Sequence, residues 1–456
     1  MVAMNPLHAS IIARPRRNRQ RGQALVYGLF VLVTGLAALF FMFNTGQLTA
    51  EKTKLVNTAD AVAYSAAVMH ARALNFDAYT NRALVANEVT IAQMVSLSSW
   101  IEYAEQHVQS VPPLDCYTYY SVPLALVLVK YEPLCALMSY PPVAAYIAPV
   151  RQFVDGAAQV TVVASEVAKV ALQAAQVTMF ATFLPARKQL MQQVADANYA
   201  GMGPVKVDTI PLLDNFTLFD GQPFISRYSG QDRTRFKEVE VNAANDDHFI
   251  SLRSWHDASP WSCNPFVLRG MVDHTSSTTL SGFDSWSAND QAGLHTEQKT
   301  WHGLRLRCRT QSSYPLGSGS KSASTSGGDW YYSGVPNFFD LSTKALGYTS
   351  DNSDAAKRDP RLRFAIRITR AENDLRTSSG TSPVKPSGPM DVYQSAAAKN
   401  VMAAVSTSEV YFERTADRTR DTLKEQASLF NPYWQAHLID TPAATKAVAL
   451  ALQQVP

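Results

Sequence analysis

The hydropathy pattern divides the chain into one apolar run, two long helical tracts and a turn-rich remainder. From Ala24 to Phe43 the sequence reads ALVYGLFVLVTGLAALFFMF, without a charge. A helix of that length, at about 1.5 Å per residue, spans the roughly 30 Å hydrocarbon core of a bilayer. Arg14, Arg16, Arg17, Arg19 and Arg21 precede it, and no acidic residue occurs before Glu51. This asymmetry predicts a cytoplasmic N-terminus, with everything after Phe43 on the other side. A cleaved secretory signal has a shorter apolar core, and Asn44-Thr45-Gly46-Gln47 is a poor cut site. A buried helix of a soluble protein rarely runs this far without a polar position.

Helical periodicity continues past the apolar run. Leu55, Ala59, Val62, Ala63, Ala66 and Met69 recur at helical spacing, with Glu51, Lys52 and Lys54 suited to a solvated face. Leu84, Val85, Val89, Met94, Val95, Ile101 and Ala104 extend one stripe until Pro112-Pro113 ends it. Val122 to Val129 is apolar but too short to cross a bilayer. Pro141-Pro142 opens a second tract that reaches about Tyr199, with breaks expected at Gly156 and Pro185. Few of its residues are charged, so it is expected to fold back on the first helix as an antiparallel hairpin. Its apolar positions suit either ordinary core or a face kept for a partner helix.

Near Gly201-Met202-Gly203-Pro204 the composition changes. Alternating runs predict strands over Phe236–Val241, Leu304–Cys308 and Arg361–Arg367. The Ser/Gly-rich stretches Ser312–Gly328 and Ser378–Pro389 read as loops. Gln394–Ser408, rich in alanine, reads as a helix. Tyr433 and Trp434 are expected to plug the core, with Asn431-Pro432 as a turn. The fold class is therefore α+β: a transmembrane helix continuing into a long helix, a helical hairpin, then a β-rich domain beyond the membrane. The divisions expected are a basic cytoplasmic leader (1–22), the span (23–48), a helical region (49–200), a β-rich or α+β domain (201–390) and a C-terminal helix with an aromatic segment (391–456).

Composition narrows the function. Charged residues are 17% and the net charge is +3. With the five leader arginines set aside, the rest is slightly acidic, which argues against a nucleic-acid-binding face. The four cysteines, Cys116, Cys135, Cys263 and Cys308, lack zinc-ligand spacing and lie beyond the span, where thiols oxidise. The short-range pairing joins Cys116 to Cys135 and Cys263 to Cys308, against the alternative of buried free thiols. An acid–base or metal site could be sought among Asp246, Asp247, His248, His256, Asp257, Asp273, His274, His295 and His302. No H-E-x-x-H or G-x-S-x-G motif organises them. Gly317–Ser322 lacks the spacing of a phosphate-binding loop. The reading is a non-enzyme, with no cofactor, metal or small-molecule substrate expected.

Four runs carry a resemblance. Arg21-Gly22-Gln23-Ala24-Leu25-Val26 joins a basic leader to the apolar helix, Leu55–Ala67 holds Asn57, Ala59, Asp60, Ala61 and Ala63, and two C-terminal runs hold Glu409-Val410-Tyr411-Phe412 with Arg414 and Asn431–Ala436 with Leu438. Together they resemble the TadE/TadG-like proteins of Flp (tight adherence) pilus assembly. The resemblance implies a single-pass, pilin-like component of the bacterial inner membrane, its body periplasmic or surface-exposed, touching other pilin-like subunits. It also implies peptidase cleavage between Gly22 and Gln23, although Tyr27 stands where such pilins carry glutamate and His437 where arginine is common. The von Willebrand-type metal site of many relatives has no match, since Asp284-Ser285-Trp286-Ser287 places its serines at the wrong offsets. Thr34, Gly35 and Ala38 offer a small-residue contact between membrane helices. The alternative is an anchored surface adhesin or ligand-binding module that uses Trp255, Trp261, Trp286 and Trp330.

Overall fold

The computed structural model describes residues 23–110, 131–347, 359–371, 374–375, 401–414 and 425–454. Gly22, Cys116, Val122–Val129 and Ser378–Pro389 lie outside the described residues. Helix α1, Gln23–Ser110, is one element of 88 residues. It contains no proline, so nothing in its sequence interrupts the backbone ladder over its length of about 130 Å. After the short α2 (Glu132–Ser139), α3 (Pro141–Asn198) returns along α1 in the antiparallel sense. Met191 and Ala195 meet Leu55 and Ala59, while Arg151 pairs with Glu102 and Glu105 near the other end.

Helix α3 runs unbroken through both expected breaks. The Cβ of a residue at Gly156 would meet nothing within 4 Å. Pro185 and Ala181, four residues before it, are both exposed, so water can satisfy the carbonyl that proline leaves unbonded.

Three sheets clothe the helix pair. The strands are β1 (Lys206–Asp214), β2 (Ile225–Tyr228), β3 (Trp255–Ala258), β4 (Arg269–Ser281), β5 (Ser285–His302), β6 (Arg305–Ser324), β7 (Trp330–Tyr331), β8 (Phe338–Leu341), β9 (Leu362–Ala371), β10 (Val401–Phe412) and β11 (Trp434–Ile439). Helices α4 (Thr234–Asn245), α5 (His248–Ser251), α6 (Thr343–Gly347) and α7 (Ala443–Gln454), with a 3-10 turn at Gly230–Arg233, complete the described elements. The sheet β1-β9-β10-β11 is antiparallel and packs on α1 nearest its apolar end, where Leu55 to Ala66 meet Phe364, Ile366 and Ile368. The pair β2-β8 lies midway, and β3-β4-β5-β6-β7 covers the far end, where Ile91, Ala92 and Val95 meet Trp286, Ala323 and Tyr332. The result is a mixed helix-and-sheet body threaded by one helix.

Four further sequence expectations are overturned. Phe236–Val241 is helical, within α4, because Phe236, Glu240 and Ala244 are the buried positions and their four-residue steps are helical. Ser312–Ser324 is strand, paired along its length with β5, and this half of β6 lies directly on α1. A Cβ at Gly319 would sit 2.1 Å from the Ser99 carbonyl oxygen, and one at Gly317 would sit 2.7 Å from the His107 amide nitrogen. The glycines that suggested a loop are what allow strand backbone to touch helix backbone. Val401–Ser408 is strand, not helix, because β10 is a central strand between β9 and β11 and its small residues fit between two covered faces. Glu51 is buried and paired with Arg370 rather than solvated.

The two C-terminal runs are neighbours in space. Glu409 pairs with His437 and Phe412 with Trp434 across β10 and β11. Trp434 is buried, donates its indole N–H to Ser428 O at 3.2 Å and meets Phe224 and Phe412 edge-on. Tyr433 is half-buried, over the Arg414 guanidinium at 5.6 Å.

Candidate functional site

The site begins where α1 stands apart from the body. Leu25, Tyr27, Phe30, Leu39 and Met42 are all more than half exposed, and the apolar window around them buries nothing. An uncharged apolar helix this exposed is costly in water, at roughly 25 cal/mol per Å² of apolar surface, and suits a hydrocarbon surround. This long N-terminal apolar helix fits a membrane anchor. Thr34, Gly35 and Ala38 lie exposed on it, and a Cβ at Gly35 would meet nothing within 4 Å. The Thr34 hydroxyl donates to Phe30 O at 2.8 Å, which satisfies it without a partner helix. Gln23 opens the helix.

A charged collar marks the entry into the body. Arg370 of β9 pairs with Glu51 of α1, bonds the Met202 carbonyl and sits 4.6 Å over the Tyr199 ring. Lys52 reaches Ala403 O, and burial lowers its pKa. Tyr199 is pushed up to about 12, first by burial and then by Glu51. The collar ties both long helices and the first sheet to one level of α1.

Further along, buried polar residues of α1 bind each element in turn. His70 accepts from Arg187 at 3.0 Å, and Arg187 grips Asp214 with two bonds of 3.0 and 2.6 Å. Burial, then the Arg187 charge, holds the imidazole down at about 3, so it stays neutral. Asn75 bonds both the N–H and the C=O of Trp434, standing in for a neighbouring strand at the start of β11. Asn81 donates to Phe339 O and Leu429 O, both at 2.7 Å. Glu88 takes Lys169 at 2.6 Å, the Tyr332 hydroxyl at 2.7 Å and the Trp286 indole at 3.2 Å. Ser99 donates to Asp290, and His107 bonds Leu316 O. Each such group costs free energy unless its partner is in place, so α1 determines where every sheet docks.

Among the described residues, one surface of α3 is left uncovered. Tyr146, Val150, Phe153, Ala157, Val160 and Ala164 follow alternating steps of four and three, and the same steps continue through Val167, Ala171 and Ala174 to Thr178 and Ala181. Every one of these positions is exposed. The charged residues of this tract, Arg151, Asp155, Glu166 and Lys169, all turn toward α1 or the sheets. A seven-residue apolar repeat sustained over this length has the period of a helix–helix seam.

The acid–base candidates do not converge. Asp247 caps α5 by accepting from the Phe249 and Ile250 amides. Asp257 accepts the Tyr131 N–H at 2.8 Å, and His274 is buried against Arg253 O. His256 pairs with Asp273 on the surface, His295 bonds Ser313, and His302 is exposed at a hairpin end. Among the described residues no group of three His, Cys, Asp or Glu side chains is placed to hold a metal. The aromatics of the adhesin reading are not a surface either. Trp286 and Trp330 are core, while Trp255 and Trp261 are half-buried. Of the seven tryptophans only Trp301, which is not among the aromatics of that reading, is exposed.

Cys263 and Cys308 are joined by a disulfide, with their Cα atoms 6.1 Å apart. Cys135 is also disulfide-bonded.

Residues 22–69 match the model of the Tad family, described as Flp pilus-assembly TadE/G-like. The match covers the apolar helix, the collar level and the first buried turns of α1. No curated protein and no solved structure matches the chain.

Proposed function

We propose that this chain is a membrane-anchored, non-enzymatic scaffold of Flp pilus assembly. It crosses the bacterial inner membrane once, with its N-terminus cytoplasmic and its body on the far side. The single observation that carries this reading is the continuity of α1: the exposed apolar helix and the body's central helix are one element. A body built around its own anchor transmits position and load without a hinge, as a scaffold requires. The Tad family is generally non-enzymatic and works with other pilus components, which supports this reading.

Two surfaces would take those components. In the membrane, Thr34, Gly35 and Ala38 allow close approach of a second apolar helix. Outside it, the heptad face of α3 would receive a helix of another assembly subunit, because its period matches a helix rather than a strand or a bilayer. Cleavage between Gly22 and Gln23 would leave α1 starting at its first residue, as in pilin-like subunits.

Carbonate extraction with reporter fusions tests the anchor. The full chain should stay in the membrane fraction, and a reporter after Ile439 should report the far side. A chain released by carbonate, or a cytosolic reporter, overturns the reading. N-terminal sequencing with and without a prepilin peptidase decides between cleavage at Gly22 and a permanent leader.

A further inference from the structure

The β5–β6 hairpin outruns the helix it packs on. Ser320 N bonds Glu102, Ser318 N bonds Gln106, and Leu316 O bonds His107, so β6 runs antiparallel to α1 and α1 ends three residues later at Ser110. From Leu316 back to Leu304 the hairpin continues for about 40 Å of strand at about 3.3 Å per residue. It leaves the body at the end opposite the apolar helix.

Its end is a two-residue turn, Gly303-Leu304, between His302 and Arg305. Gly303 has φ of 62°, which this tight connection needs. The pairing puts Trp301 and Leu306 opposite each other on one face, and His302 with Arg305 and Thr300 with Arg307 on the other. Leu304 is 97% exposed and Trp301 71%. A second loop is fastened beside the first. The Cys263–Cys308 disulfide joins them, Lys299 N bonds Asn264 O, and Gln298 bonds Pro265 O. Asn264 Oδ1 accepts from the Phe266 and Val267 amides, so this loop is itself ordered, yet Phe266 is 89% exposed. The hydrogen bonds hold the backbone and leave the apolar side chains outside.

The charge is one-sided. Arg305, Arg307 and Arg309 are exposed, and none has an ion-pair partner among the described residues. No acidic residue occurs in 258–272 or in 298–328. Exposed Trp, Phe and Leu at a tip, flanked by unpaired arginines, are the combination that enters an anionic bilayer interface: rings and aliphatics at the headgroup boundary, guanidinium groups on phosphates.

We infer that this disulfide-stapled tip docks on an anionic phospholipid surface remote from the anchor. Phe266, Trp301 and Leu304 insert, and Arg305, Arg307 and Arg309 bind lipid phosphate. An acidic protein would use the arginines but leave the three apolar side chains without a purpose, which favours lipid. The inference rests on the tip's own geometry and stands whether or not the chain serves pilus assembly.

The test uses the full chain in nanodiscs of neutral phosphatidylcholine, mixed with separate vesicles and floated. Empty nanodiscs are the control. Vesicles of phosphatidylglycerol and phosphatidylethanolamine should co-float the chain at low salt, and phosphatidylcholine vesicles should not. Replacing Arg305, Arg307 and Arg309 by Gln should weaken binding by roughly 100-fold. Trp301→Ser with Leu304→Ser should abolish it, while the disulfide persists on a non-reducing gel. The Trp301→Phe chain should lose the blue shift of tryptophan emission that vesicles produce in the parent. Absence of binding to anionic vesicles overturns the inference, and so does binding that survives both substitution sets. Arginine-dependent binding that ignores Trp301 and Leu304 also overturns it, and assigns the tip to a soluble acidic partner.

Discussion

Glu88 of α1 and Lys169 of α3 meet at 2.6 Å with neither side chain exposed. Lys169 also pairs with Glu166 at 2.8 Å and lies 4.3 Å from the Tyr332 ring centre. One ammonium thus joins both long helices to the segment that carries β7. Burial raises the Glu88 pKa, and Lys169 acts against that rise. Lys169→Met leaves Glu88 and Glu166 without their cation and should cost about 3–5 kcal/mol near neutral pH. Thermal unfolding should show the loss shrinking as pH falls, because the stranded Glu88 carboxylate, its pKa already raised by burial, takes up a proton. Lys169→Met with Glu88→Gln should recover part of it.

The glycine strand gives a sharper contrast. Gly319→Ala forces a methyl against the Ser99 carbonyl and should cost about 1–3 kcal/mol, with β6 lifted from α1 and faster amide exchange in both. Gly156→Ala, in an exposed turn of α3 with open space around it, should stabilise by about 0.5–1 kcal/mol. Equal effects at the two sites would contradict the contact between β6 and α1.

His70 makes stability depend on pH. Its folded pKa is about 3, against an ordinary 6.5, because burial and Arg187 disfavour the imidazolium. The unfolded chain therefore binds the extra proton between those values. The contribution is complete above pH 6.5 and is lost as pH falls toward 3, at about 1.4 kcal/mol per unit. His107, held at about 4 chiefly by burial, adds in the same direction. His70→Gln should be less stable at neutral pH yet show a flatter decline in urea titrations between pH 6 and 4.

The heptad face of α3 separates docking from folding. Val160→Glu and Val167→Lys lie on exposed positions and should change the melting midpoint little, within about 0.5 kcal/mol. Site-specific cross-links from Val163 to neighbouring subunits in native membranes should disappear in the double variant. Unchanged cross-linking would remove α3 as the docking face.

The N-terminal apolar helix, its long continuation and the return of α3 were legible in the sequence. Their signals are local: absence of charge, helical spacing and paired prolines. The mixed helix-and-sheet class was legible for the same reason. The polar grip along α1 was not. His70, Asn75, Asn81 and Glu88 look like solvated positions until Arg187, Trp434, Phe339 and Lys169 arrive from far along the chain. Gly317 and Gly319 signalled a loop, since glycine's freedom and glycine's smallness leave the same letter.

By itself the sequence determined the uncharged apolar helix, the arginines ahead of it and the helical reach beyond, because each follows from neighbours a few residues apart. Only the tertiary structure decided that Glu51 and Glu88 are interior, that Val401–Ser408 is strand, and that Phe266 stands beside Trp301 at one tip. Those outcomes depend on which distant surfaces come together to exclude water, and local spacing carries no record of that choice.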